Sequence, residues 1–297
     1  MMPKIGIHNG YWVGTDYCNL SQALKAASDA KADVYELDAW SLYEKSRQDL
    51  LDIKHQAEDL GLSLICNGGF TSDNDIASDN PDVRKKGIQM ALSVLNAMEI
   101  VGVTSWSGIN YSAWLRRPPI HNFTLSDKEQ ILSLSVASLK QIVKAAEDSG
   151  VLYCLEIVNR YEQFLINTVA EGVELIERIG SNNLKLLLDI YHMNIEEDSI
   201  TDSIHYAAAH NCIGEIHVGE SNRRIPGLGA SHIDWKNIFG ALKESGFDGP
   251  IIMEPFVLMG SSLAYDIGVW RDLSNGKSSL ELLEDVASGI QFIRSFF

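Results

Sequence analysis

Acidic and histidine side chains stand near the ends of four consecutive apolar segments in the second half of the 297-residue chain. The segments span residues 152–157, 184–189, 213–218 and 250–254, and the side chains are Glu156, Asp189, His217 and Glu254. An ionised carboxylate in an apolar run is costly unless it is paired or binds a metal. Three carboxylates and one imidazole suit a divalent cation such as Mn²⁺, Co²⁺ or Mg²⁺, with positions left for substrate oxygens. A single acid at a strand end is more often a helix cap, so the metal-site hypothesis depends on four such residues in series.

The elements that would carry these side chains alternate along the whole chain. Four further strand-like segments precede them, at residues 4–8, 34–37, 62–67 and 101–107. Amphipathic helical patterns lie between the strands, for example at residues 82–98, 127–149, 169–179 and 235–245, and a final helix is predicted at 280–297. Eight strand–helix units predict an α/β fold, a single (β/α)₈ TIM barrel over residues 1–297. The active site of such a barrel lies at the carboxyl ends of its strands, which would bring the four side chains together.

Composition narrows the classes of partner. The chain has 24 basic and 40 acidic residues, a net charge of −16, and such an acidic surface disfavours nucleic acid and anionic membranes. No leader-like segment, long apolar span, GxGxxG or Walker motif is present in the sequence. The four cysteines are widely spaced, which favours buried structural thiols in a reducing cytoplasm over a disulfide framework.

Four stretches of the chain resemble the D-tagatose 3-epimerase family, which includes the D-psicose (D-allulose) 3-epimerases. They are LEIVNRYE at 155–162, LDIYHMNIEE at 188–197, HVGESNRR at 217–224 and MEPF at 253–256. The resemblance implies that the four side chains above match the family's metal ligands, with Mn²⁺ or Co²⁺ as the cation. It also implies residues that hold an unphosphorylated ketose near its carbonyl, Glu162, His192 and Arg223, and an apolar wall, Trp114 and Phe256. A homodimer or homotetramer is the assembly that the family suggests.

The chemistry explains why two of the acids would have two roles. Removing the proton at C3 of a ketose requires a cation or donors that stabilise the enediolate oxygen. Epimerisation also needs a group on each face of C3, because the proton leaves one face and returns to the other. Glu156 and Glu254, from strands five and eight, are therefore expected to be both metal ligands and the catalytic acid/base pair. The predicted reaction interconverts ketoses such as D-fructose and D-psicose, or D-tagatose and D-sorbose.

The substrate's far end is less well defined by the sequence. Residues 8–10 (HNG) stand where members of the family commonly carry tyrosines, and the stretch 66–69 (CNGG) varies among relatives. Both loops are expected to face C4 to C6 of the sugar. Trp12 and Trp106 could stack on the sugar or simply pack in the core. Residues 259–279 form a segment too long for a typical loop and are predicted to lie over the barrel mouth.

Three alternatives use related architectures. An aldose–ketose isomerase would use similar ligands but shuttle a proton between C1 and C2, for which one base is enough. An abasic-site endonuclease would need more histidine ligands and a basic surface, whereas this chain has eight histidines and a net charge of −16. A non-catalytic sugar sensor would have no need of acids on both faces of the sugar.

Overall fold

Eight parallel strands close into a barrel in the computed structural model, which describes residues 2–297. The strands are β1 Ile5–His8, β2 Val34–Asp38, β3 Ser63–Asn67, β4 Ser105–Ser107, β5 Leu152–Ile157, β6 Leu184–Asp189, β7 Ile213–Val218 and β8 Ile251–Met253. They pair in chain order, and β1 pairs with β8 in parallel to complete the ring. The predicted (β/α)₈ barrel is confirmed.

Helices connect the strands and surround the barrel. They are α1 Leu20–Asp29, α2 Arg47–Asp59, α3 Pro81–Val101, α4 Leu125–Asp148, α5 Val169–Ile179, α6 Ile190–Glu196, α7 Ile200–Ala209, α8 Trp235–Glu244, α9 Ser262–Asp266 and α10 Ser279–Arg294. Capping boxes fix the starts of several of them; at α5, for example, Thr168 and Glu171 exchange side chain–backbone hydrogen bonds. The strands are buried on both faces, as is usual for parallel sheets covered by helices.

Two boundary predictions need correction. Strand four begins at Ser105, since the apolar residues up to Val101 belong to α3, and Gly102 ends that helix with a φ of +84°. An apolar run after a helix gives the same pattern whether it continues the helix or starts a strand. The last helix ends at Arg294, three residues before the end of the chain.

The cysteines behave as predicted at three positions of four. Cys66, Cys154 and Cys212 are buried free thiols, whereas Cys18 is exposed, so the prediction of burial was wrong there. Cys18 immediately precedes the turn into α1 and lies on the surface. Among residues 2–297, no helix has the length and apolar character needed to cross a membrane.

Candidate active site

A cavity of about 360 Å³ opens at the carboxyl ends of the strands. The long segment between β8 and α10 lies over this mouth as predicted. Leu263 of its short helix α9 and Ile267, which follows that helix, form part of the cavity wall. The other residues lining the cavity come from the ends of the strands and from the loops that follow them, among them His8, Asp38, Trp40, Asn67, Trp114, Glu156, Glu162, His192, Arg223, Glu254 and Phe256.

The four side chains predicted to bind metal lie together at the base of this cavity. One candidate ligand atom from each of Glu156, Asp189, His217 and Glu254 lies within 4.8 Å of all the others, and all four residues are buried. Strand pairing sets this arrangement, because Asp189 and His217 are register partners at the ends of β6 and β7. Glu254 follows β8 directly, and its amide donates a hydrogen bond to the carbonyl of Val218 at 3.0 Å.

The donor set fits a divalent cation. The Nδ1 atom of His217 is buried, has no hydrogen-bond partner among the described residues, and lies 3.7 Å from Oε1 of Glu254. Burial and repulsion from Glu254 raise the pKa of Asp189 to about 7, and the same two causes raise the pKa of Glu156 well above its usual value. Carboxylates that resist ionising next to one another are stabilised by a bound cation, which neutralises their charge.

His192 presents a proton to this cluster. The Nδ1 atom of His192 accepts a hydrogen bond from the backbone N–H of Asn159 at 3.2 Å, so the ring proton is on Nε2. That nitrogen lies 3.4 Å from Oδ2 of Asp189 and 3.7 Å from Oε1 of Glu156. Burial and the charge of Arg223 lower the pKa of His192 well below its usual value, so the ring is a neutral donor.

Arg223 connects the cluster to the outer part of the cavity. Its Nη1 donates to Oε2 of Glu254 at 2.9 Å and its Nη2 donates to Oε1 of Glu162 at 3.1 Å. The guanidinium lies 3.7 Å above the ring of Tyr191 and 5.3 Å from that of Phe256, which hold its plane in place. Its backbone φ of +63° turns the side chain inward from a short loop after β7.

Glu162 is also held from a second direction. Its Oε2 accepts a hydrogen bond from the indole N–H of Trp114 at 3.1 Å. The backbone N–H of Trp114 in turn donates a hydrogen bond to the carbonyl of Phe70 at 2.8 Å. Phe256 packs edge-on against His8, with ring centroids 5.8 Å apart. The structure therefore brings all nine predicted site residues to one mouth, with His217 and Asp189 beneath the cavity floor and the others around it.

Known proteins resemble this chain over almost its whole length. Residues 24–273 match the family model described as xylose isomerase-like TIM barrel. The D-psicose 3-epimerase of Ruminiclostridium cellulolyticum is 35% identical over 98% of this chain and 97% of that protein. The L-ribulose 3-epimerase of Mesorhizobium japonicum is 31% identical over 92% of this chain and 88% of that protein. A crystal structure of D-psicose 3-epimerase with D-tagatose, from Clostridium cellulolyticum H10, superposes with a TM-score of 0.92 at 34% identity, covering 99% of each chain.

The chain belongs to the D-psicose 3-epimerase family. It is a carbohydrate epimerase, and its (β/α)₈ barrel agrees with the TIM barrel of the matching family model.

Two buried acids of this epimerase lie behind the cluster and were missed from the sequence. The Nε2 atom of His217 is 3.1 Å from Oε1 of Glu36 and 3.3 Å from Oε1 of Glu215, and all three side chains are fully buried. Burial and repulsion from Glu36 raise the pKa of Glu215 to about 8. Glu215 precedes His217 by two residues and so shares its face of β7, which was the available signal.

Some predicted residues lie away from the cavity of this epimerase. Trp12 and Trp106 are almost fully buried and pack against other aromatic rings, so they are core residues. Trp40, which follows β2, lines the cavity instead and was missed. Cys66 is buried, while the three residues after it, 67–69, reach the cavity wall.

Proposed function

We propose that this chain is a divalent-metal-dependent ketose 3-epimerase that acts on free ketoses through a cis-enediolate. The observation that carries the proposal is the arrangement of Glu156 and Glu254. They stand at the carboxyl ends of β5 and β8, both line the cavity, and both contribute to the cluster of candidate ligands. Relatives named as D-psicose 3-epimerases and L-ribulose 3-epimerases support the assignment to ketoses.

In the proposed reaction the two glutamates act on opposite faces of C3. One carboxylate removes the C3 proton and the other returns a proton from the opposite face; the direction of reaction decides which does which. Glu156, Asp189, His217 and Glu254 would hold the cation. A divalent ion there supplies Lewis-acid stabilisation of the charge that develops at the carbonyl end of the sugar.

The remaining polar residues orient the substrate. The Nε2–H of His192 and the guanidinium of Arg223 donate toward the carbonyl end of the ketose, and Arg223 stays protonated throughout. Glu162 would accept a hydrogen bond from a hydroxyl near C1. Trp114 and Phe256 provide apolar surface for the C–H groups of the sugar and limit the access of water.

The charge of the cavity supports a neutral substrate. Among the described residues that line it, Arg223 is the only arginine or lysine, and it is already paired with Glu162 and Glu254. The lining acids therefore outnumber the free cations, which disfavours a sugar phosphate. We propose D-psicose/D-fructose as the first pair to test and Mn²⁺ as the cation. A cytoplasmic location and a homodimer or homotetramer stay predictions.

The experiment is proton exchange at C3. Metal-stripped protein, with and without Mn²⁺, is incubated in D₂O with D-fructose, D-psicose or D-tagatose, and the sugars are followed by NMR. We expect Mn²⁺-dependent deuterium at C3 together with the 3-epimer. Glu156→Gln and Glu254→Gln should each slow exchange by about 10²- to 10⁴-fold, the usual contribution of an acid/base group. Deuterium at C1 with an aldose product would identify an isomerase instead, and protein that binds Mn²⁺ but exchanges none of the sugars would refute the proposal.

A further inference from the structure

The cavity has two chemically different halves. The proposed chemistry uses the ends of β5 to β8. The ends of β1 to β3 follow β8 around the ring, with β1 paired to β8, and face β5 to β7 from the other side. On that opposite side the cavity is lined by polar side chains that the proposed reaction does not use. They are His8, Asn9, Asp38, Asn67 and Thr71. A ketose held by its carbonyl end near the cluster would extend its last carbons toward these residues.

Asp38 is the charged member of this group. It is the last residue of β2 and pairs in register with Asn67. Its Oδ1 accepts a hydrogen bond from the backbone N–H of Trp40 at 3.1 Å, which fixes the carboxylate at the start of the 3₁₀ turn Ala39–Leu42. Among the described residues, no lysine or arginine forms an ion pair with it. A partly buried carboxylate without a cation is costly unless donors reach it, and sugar hydroxyls are such donors.

His8 places a donor beside this acceptor. Its Nδ1 accepts the backbone N–H of Gly10 at 3.0 Å, so Nε2 carries the ring proton. Nε2 lies 3.9 Å from Oε1 of Glu254, at the border between the two halves. Gly10 is required for this arrangement, because a Cβ there would lie 2.8 Å from Nδ1 of His8 and 2.7 Å from the ring of Phe256.

Apolar surface encloses these polar groups. Trp40 is anchored by its indole N–H, which donates to the carbonyl of Gly69 at 2.5 Å, and Ile109, Leu263 and Ile267 complete the wall. Few polar groups set in a mostly apolar pocket are the usual basis of ligand specificity, because an unmatched buried acceptor is costly.

We propose that Asp38 is a specificity-determining residue that accepts hydrogen bonds from the C5 and C6 hydroxyls of a hexulose, with His8 as the neighbouring donor. This inference rests on the proposed function. It makes six-carbon ketoses with free terminal hydroxyls the preferred substrate class. Shorter ketoses would leave the carboxylate of Asp38 without a hydrogen-bond donor. A ketose 6-phosphate would be repelled by that carboxylate, because both groups are negatively charged.

The test compares a long and a short ketose on the same variants. Metal-loaded wild type, Asp38→Ala and Asp38→Asn are assayed for C3 exchange with D-psicose and with erythrulose, a four-carbon ketose that has a C3 proton but no C5 or C6. We expect Asp38→Ala to lower kcat/KM for D-psicose by about 10- to 100-fold, as for loss of a charged hydrogen-bond partner. Exchange of erythrulose should change by less than about twofold, because its reacting end meets the same groups. Asp38→Asn keeps the shape of the side chain but loses its charge, so its kcat/KM for D-psicose should lie between those of wild type and Asp38→Ala.

Asp266→Asn is the matched control. It removes the same charge from an exposed position in α9 near the mouth, outside the cavity lining, and should leave both rates unchanged. Equal losses with D-psicose and erythrulose would mean that Asp38 supports the site as a whole. No loss with D-psicose would mean that Asp38 does not bind the hydroxyls of the sugar. Either result overturns the inference. Wild-type protein that exchanges neither ketose would overturn the proposed function instead. In that case the binding of D-psicose, measured by calorimetry, still tests the role of Asp38. The role is rejected if Asp38→Ala binds D-psicose as tightly as wild type does.

Discussion

The imidazole of His217 is held between two environments. On one side its Nδ1 faces the candidate metal ligands, and on the other its Nε2 meets Glu36 and Glu215. Glu36 is further fixed by the hydroxyl of Ser107, which donates to its Oε1 at 3.0 Å. A carboxylate behind a ligating histidine fixes the tautomer and makes the imidazole a better ligand.

Glu36→Gln should therefore weaken metal binding without removing a ligand. His217 lowers the pKa of Glu36 despite its burial, so Glu36 is the acid of the pair that is ionised behind the imidazole, whereas the pKa of Glu215 is raised to about 8. We expect a loss of about 10- to 100-fold in Mn²⁺ affinity, the usual effect of changing the group behind a ligand, measured by titration calorimetry of the metal-stripped protein. Glu129→Gln, at a half-exposed surface ion pair with Arg178, is the control and should bind Mn²⁺ like wild type. Equal affinities for Glu36→Gln and wild type would show that Glu36 does not position His217.

The sequence predicted the candidate ligands but not the acids behind them, for a physical reason. The ligands stand at the ends of apolar runs, where the barrel brings strand ends together. Glu36 reaches His217 from 181 positions away, across the barrel interior, and strand alternation says which face a side chain is on but not which strand it meets there. Asp38 and Trp40 were missed in the same way, since the first-half strand ends carry no recognisable motif.

At the scale of elements, the loop after β3 is fixed by the helices outside it. Gly87 of α3 lies so close to this loop that a Cβ would come within 2.0 Å of the carbonyl oxygen of Asn74. From α4, the hydroxyl of Ser138 donates to the carbonyl of Ile76 at 2.7 Å. The same loop pairs with the segment after β4 through the bridge between Phe70 and Ala113, next to Trp114. Helix packing thus sets the position of the cavity wall.

Gly87→Ala should be destabilising, because the loop or the helix must shift to admit one methyl group. We expect a loss of about 1–3 kcal/mol in the free energy of unfolding, as for overpacked cores, measured by urea denaturation. Gly240→Ala in α8 is the matched control. Nothing lies within 4 Å of its added Cβ, so it should gain about 0.5–1 kcal/mol from helix propensity. Similar stability changes in both variants would contradict the close packing of α3 on the loop.

At the scale of the whole molecule, the acidic cluster links folding to protons and metal. Burial and repulsion from Glu254 raise the pKa of Asp189 from 3.8 to about 7 in the metal-free protein. The folded state therefore binds more protons than the unfolded state between these values. The contribution of Asp189 to stability is complete below pH 3.8 and is lost as the pH rises toward about 7.

Metal should reverse that dependence, because ligands must be deprotonated to bind it. We expect the increase in Tm on adding Mn²⁺ to be larger at about pH 7.5 than at about pH 5, as measured by scanning calorimetry. Asp189→Asn is the control; it cannot titrate, so its metal-free Tm should fall less across the same pH range. An Mn²⁺-induced shift that is larger at the lower pH would show that this cluster does not bind the ion.

The division of the mouth has a consequence for how such enzymes diverge. Residues proposed for bond making come from β5 to β8, whereas the wall at the far end comes from β1 to β3 and from the segment before α10. Substitutions in that wall can accumulate without disturbing the reacting groups, so new sugar preferences can evolve while the reaction is retained. A mutant library restricted to residues 38, 40, 67 and 71, which leaves out His8 beside Glu254, would sample substrate range within a preserved chemistry.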